Sequence, residues 1–127
     1  MNKIFSTLAN TNYFIQIYAL FESSAAADLK YTFVHSGTTT SVEYYEQRSH
    51  ATGASGSGTL ATYPYNIVIQ TRVLSLASNM FGVLEFKIYL EVGASAGTFA
   101  FQWAQNTSNA SNTSIKKGSW IEYRTFA

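Results

Sequence analysis

The dominant pattern along this chain is an alternation of period two. Leu84, Phe86, Ile88, Leu90 and Val92 alternate with Val83, Glu85, Lys87, Tyr89 and Glu91, which predicts a strand with one apolar and one mixed face. Residues 29–34 repeat the pattern more briefly, and Phe99, Phe101 and Trp103 alternate with Ala100, Gln102 and Ala104. Residues 13–21 are apolar on both faces, which predicts a strand buried between layers. Residues 42–47, 67–76 and 119–126 complete seven predicted strands, with an eighth if residues 114–116 pair separately. Ser36-Gly37-Thr38 and residues 93–97 supply turn residues that tolerate positive φ. Residues 53–58, a Gly/Ser run, read as a surface loop, and Pro64 reads as the opening of a strand. Residues 22–28 are helix-compatible but too short to stand alone. The pattern predicts one all-β domain, a sandwich or jelly roll.

Composition adds a surface problem to this picture. The 127 residues include nine Tyr and nine Phe, while only 12% are charged and the net charge is +1. Typical chains carry roughly 25% charged residues. No basic run exceeds Lys116-Lys117, so neither nucleic acid nor an anionic membrane is an expected partner. Ring-rich, charge-poor surfaces suit contact with copies or partners, because interface cores lose charge and gain aromatics. With no cysteine, disulfides, thiolate metal sites and cysteine nucleophiles are excluded. The stretch from Lys3 to Ala27 imitates a secretory signal, but Asn10, Thr11, Asn12 and Gln16 interrupt its apolar region and Glu22 follows it directly, and we read its residues 13–21 as a strand.

Catalytic chemistry has little to stand on. His35 and His50 read as exposed loop histidines, and Asp28 is the sole aspartate, so no triad context exists. Glu43 and Glu46 are three apart in a strand and point to opposite faces. No metal-ligand spacing or phosphate-cradling glycine motif occurs, and neither metal, cofactor nor enzymatic activity is expected. Tyr44-Tyr45, Tyr63 with Tyr65, and Trp120 with Tyr123 are candidate stacking platforms, against a background expectation of core and interface packing. Asn106, Asn109 and Asn112 each open a glycosylation sequon, and three in so short a stretch read more simply as a polar loop.

The last third, from Gly97-Thr98-Phe99-Ala100-Phe101-Gln102-Trp103-Ala104-Gln105-Asn106 to Lys117-Gly118-Ser119-Trp120-Ile121-Glu122-Tyr123, resembles the ending of bacteriophage virion domains. Those domains have the complement/tumour-necrosis-factor-like jelly roll. Ala25-Ala26-Ala27-Asp28-Leu29-Lys30-Tyr31-Thr32-Phe33 is similar to their second-strand signature. The resemblance implies a homotrimer of jelly rolls, with Phe101, Trp103, Gln105, Ile121 and Tyr123 near the trimer interface or the core. It also implies a place on the outer surface of a virion, in decorations, head fibres or tail fibres. Since no shaft is evident, residues 13–127 are expected to form the jelly roll. Residues 1–12 are expected to form an arm whose Lys3, Ile4, Phe5 and Leu8 attach to the major capsid protein or another virion protein. A capsid decoration is the first expectation. A fibre tip holding a host surface glycan through Tyr44, Tyr45, Ser55 and Ser57 is the alternative, and a secreted signalling or adhesion domain of the same fold is a third.

Overall fold

The computed structural model describes residues 3–50, 60–65, 72–74 and 80–126. Its ten strands are β1 (Lys3–Thr7), β2 (Asn12–Ser23), β3 (Leu29–His35), β4 (Thr39–His50), β5 (Leu60–Tyr65), β6 (Arg72–Leu74), β7 (Met80–Val92), β8 (Gly97–Gln105), β9 (Ser114–Ile115) and β10 (Trp120–Phe126). They form two sheets, one of order β1-β8-β3-β6 and one of order β10-β2-β7-β4-β5, with β9 pairing β2 beside β10. Every pairing is antiparallel. The described residues contain no helix, and the sheets pack against each other as a sandwich.

The alternation places the core. The larger sheet contributes Tyr13, Ile15, Ile17, Ala19 and Phe21 from β2, Leu84, Phe86, Ile88, Leu90 and Val92 from β7, and Val42 from β4. The smaller sheet answers with Leu29, Tyr31 and Phe33 from β3, Phe99 and Phe101 from β8, and Phe5 from β1. Phe86 is the aromatic hinge between the layers. Its ring meets Phe33 edge-on at 4.9 Å, and Tyr31 and Phe101 lie 5.3 and 5.7 Å away. Edge-to-face and tilted geometries set the positive rim of one ring against the negative face of another.

Four expectations are corrected. Where an N-terminal arm was expected, residues 3–7 form edge strand β1, because the alternation puts Phe5 in the core while Ile4 and Ser6 point outward. Strand β2 buries only one face: Phe14, Gln16, Tyr18 and Leu20 on the other are half-exposed, since among the described residues no layer covers the outside of the larger sheet. Residues 22–28, too short for a helix of their own, continue β2 through Ser23 and then turn, with the Ala27 and Asp28 N–H groups both donating to the Ser24 carbonyl and Asp28 at φ 53°. Pro64 lies inside β5 opposite Glu43 instead of opening it, and is tolerated there because β5 is an edge strand. Gly37 and Gly97 do not have positive φ; they are needed because the two turns touch, and a Cβ on Gly97 would strike the Gly37 backbone. Of the expected strand 67–76, β6 is the described part; the remainder lies outside the described residues.

Candidate interaction surface

The flank where β1 and β10 lie carries most of the exposed rings. Antiparallel pairing sets Tyr123 opposite Ile15, and Trp120 opposite Tyr18, on β2. Even-numbered residues of β10 therefore face outward and odd-numbered ones face the smaller sheet. Local chemistry fixes the entry to β10. Gly118 adopts φ 99°, the Ser119 hydroxyl donates to the Lys116 carbonyl (2.8 Å), and the same oxygen accepts the Leu20 N–H (2.9 Å). A glycine followed by serine thus turns the chain and anchors it to β2.

On the inner side, Tyr123 lies flat over Phe5, with ring centroids 3.9 Å apart and planes within 11°. Phe5 also meets Tyr13 at 5.7 Å and Phe99 at 5.4 Å, so this stack closes the open side of the sandwich between its two edge strands. The Tyr13 hydroxyl accepts the Leu8 N–H at 2.8 Å, which ties down the end of β1. On the outer side, Trp120 is parallel to Tyr18 (5.8 Å, 10°), the Arg124 guanidinium sits 5.1 Å over Phe14, and Tyr89 meets Phe126 at 5.4 Å. The Tyr89 hydroxyl donates to Glu91 (2.6 Å); this hydrogen bond first, then burial and the charges of Glu91 and Glu43, raises its pKa. Trp120, Tyr123 and Phe126 each leave more than two-fifths of their surface open.

The cleft between Phe14, Gln16, Glu122, Tyr123 and Arg124 has a volume of only about 70 Å³. That admits ordered water, whereas small-molecule sites typically run to about 300–1,000 Å³. Among the described residues no group of three or more His, Asp or Glu side chains could hold a metal ion.

His35 forms a separate polar junction and is not the exposed loop residue expected. It ends β3, half-buried, with Nε2 2.8 Å from the Thr7 hydroxyl of β1 and Nδ1 2.9 Å from the Thr39 hydroxyl of β4. The Thr7 hydroxyl also accepts the Gly97 N–H (3.1 Å). Burial lowers the His35 pKa below its ordinary value.

The expected site residues scatter across this frame. Phe101 is fully buried, while Trp103 and Ile121 are partly buried against the core. Gln105 organises the polar loop that carries the three sequons. Its amide nitrogen donates to the Asn109 and Ser111 carbonyls, and its amide oxygen accepts the Asn109 N–H. Of the expected arm, Lys3 and Ile4 lie in β1, opposite Phe101 and Ala100, and Phe5 is core. Leu8 follows β1 and is 66% exposed. Tyr44 and Tyr45 sit in β4 opposite Ile88 and Lys87, with their side chains outside the described set, as are those of Tyr63 and Tyr65. Ser55 and Ser57 lie outside the described residues. Trp120 and Tyr123, paired as a platform, face opposite sides of β10. The sequence alone does not single out the outer row of Phe14, Tyr18, Tyr89 and Phe126, because rings stand at both parities in β2 (Tyr13 and Phe21 against Phe14 and Tyr18) and in β10. No family model, curated protein or solved structure matches this chain.

Proposed function

We propose that this protein is a non-enzymatic structural component of a bacteriophage particle, a homotrimer of jelly rolls that decorates the outside of the capsid. The strand order supports the jelly-roll part of the reading. Strands pair as β1·β8, β2·β7, β3·β6 and β4·β5, the rungs of one long antiparallel hairpin. Rolling that hairpin up adds the contacts β3·β8 and β4·β7, both present, and yields two four-strand orders, 1-8-3-6 and 2-7-4-5. Strand β10 extends the second order beyond β2.

The observation that carries the trimer is the outer face of the smaller sheet. Ile4, Ala100 and Val34 lie in one register row across β1, β8 and β3, next to Thr32 and Gln102. Ile4 and Val34 are both exposed, and among the described residues of these three strands Lys30 is the one charge on that face. A charge-poor sheet face crossed by an exposed apolar row suits an obligate interface, and closed cyclic symmetry consumes such a face without making filaments. Around a threefold axis the three copies would cover this row and leave the larger sheet outermost. Phe101 and Trp103 then act through the core behind that face. With β1 built into the sheet, attachment to the shell falls to folded surface such as Leu8, not to a free arm. Many weak footprints on neighbouring capsomers would together stiffen the shell.

Two measurements test this. Light scattering on the purified chain should return three times the 14.0 kDa subunit mass, and the trimer should cosediment with purified capsids. Saturable binding on a glycan array without cosedimentation would instead favour the fibre-tip reading, and a monomer that binds neither would overturn both.

A further inference from the structure

We propose that β10 is a self-pairing edge, joining two copies antiparallel about a twofold axis through Tyr123. This goes beyond the trimer and does not depend on the virion reading. β10 ends the order of the larger sheet, so its far edge faces no other strand among the described residues. An edge with free N–H and C=O groups is a template for another strand, and natural edges are usually guarded against this by charge or proline. Here the charges invite pairing. The strand reads Trp120-Ile121-Glu122-Tyr123-Arg124-Thr125-Phe126, which is symmetric in chemistry about its centre.

With the axis at Tyr123, Glu122 faces the partner's Arg124, Arg124 faces the partner's Glu122, and Trp120 faces the partner's Phe126. All four lie on the outer face, where directly opposed residues meet, and opposite-charge and aromatic pairs are the stabilising kinds. Moving the axis one residue either way sets Glu122 against itself or Arg124 against itself. Charge thus selects the register as well as the occupant. Both groups are exposed, and the Tyr123–Phe5 stack holds the middle of the strand against the sandwich, so the edge is rigid before contact. Pairing would fuse the larger sheets of two copies into one, and would link one trimer to the next.

The chain has no cysteine of its own, which makes a direct test clean. On the axis, Tyr123→Cys brings two Cα atoms to about 4.5–5.5 Å, within disulfide range. Thr125→Cys leaves them about 14 Å apart, four residues along the strand and one strand across. Mild oxidation should cross-link the first variant to a covalent dimer and leave the second single. In sedimentation, Glu122→Arg and Arg124→Glu should each weaken pairing at least tenfold, while the doubly swapped chain returns to within about threefold of the natural one. Equal cross-linking of both cysteine variants, or of neither, overturns the proposal. So does a charge-swapped chain no better than the single reversals, and this series decides alone if Tyr123→Cys fails to fold. The trimer is scored separately, because these substitutions leave the face of Ile4 and Val34 intact.

Discussion

His35 links three strands through its two ring nitrogens, and its burial sets the sign of its effect on stability. Because its pKa is lowered on folding, the unfolded chain binds the proton more readily. Its contribution is therefore fully present above the ordinary histidine pKa of about 6.5 and is lost as pH falls through the folded value. We predict that the melting temperature drops between pH 7 and pH 5, and that His35→Gln flattens this drop; an unchanged slope would show that the junction does not titrate. The buried rings set a larger scale. Phe101→Ala should cost about 3–5 kcal/mol in denaturant unfolding, the range for a fully buried aromatic. Gly97→Ala should cost about 1–3 kcal/mol, because the new methyl group must push the Gly37 turn aside. Phe101 was legible in the alternation of its own strand. The role of His35 was not, since its partner Thr7 lies 28 residues away in a strand whose presence depends on β8.

At the scale of elements, β1 separates what local pattern reveals from what only the partner strand decides. Lys3-Ile4-Phe5-Ser6-Thr7 is a five-residue alternation with a single large ring, too little to distinguish an arm from an edge strand. What settles it is that β8 offers an open edge and Phe99 and Tyr123 offer a pocket for Phe5. Deleting residues 1–7 should therefore lower the melting temperature and expose apolar surface to a dye such as ANS, whereas loss of a free arm would change neither. The long strand β7 was legible from period two alone, because a one-residue slip would turn its whole apolar set into water; β2 was legible as a strand, but with apolar residues at both parities its buried face was not. The placement of β10 beside β2 was not. No alternation specifies which neighbour a strand takes, and the Gly118-Ser119 turn identifies only where it begins.

For the whole molecule, the two sheets bury one ring-rich core and still leave apolar groups, among the described residues, on three surfaces: the outer face of the smaller sheet, the β1/β10 flank and the outer face of the larger sheet. If the proposed trimer closes over the first, a charge placed there should undo it without unfolding the subunit. We predict that Val34→Glu, at a position already exposed, gives a folded chain of lower mass by light scattering and an unchanged circular dichroism spectrum. The scarcity of charge is legible in the sequence, but which face is left poor in charge is not, since that requires knowing which strands share a sheet. Sedimentation velocity of the full chain at micromolar concentration separates assembled from solitary subunits. We predict a species of three subunits, with larger multiples as concentration rises. A single folded species at 14.0 kDa across that range would contradict it.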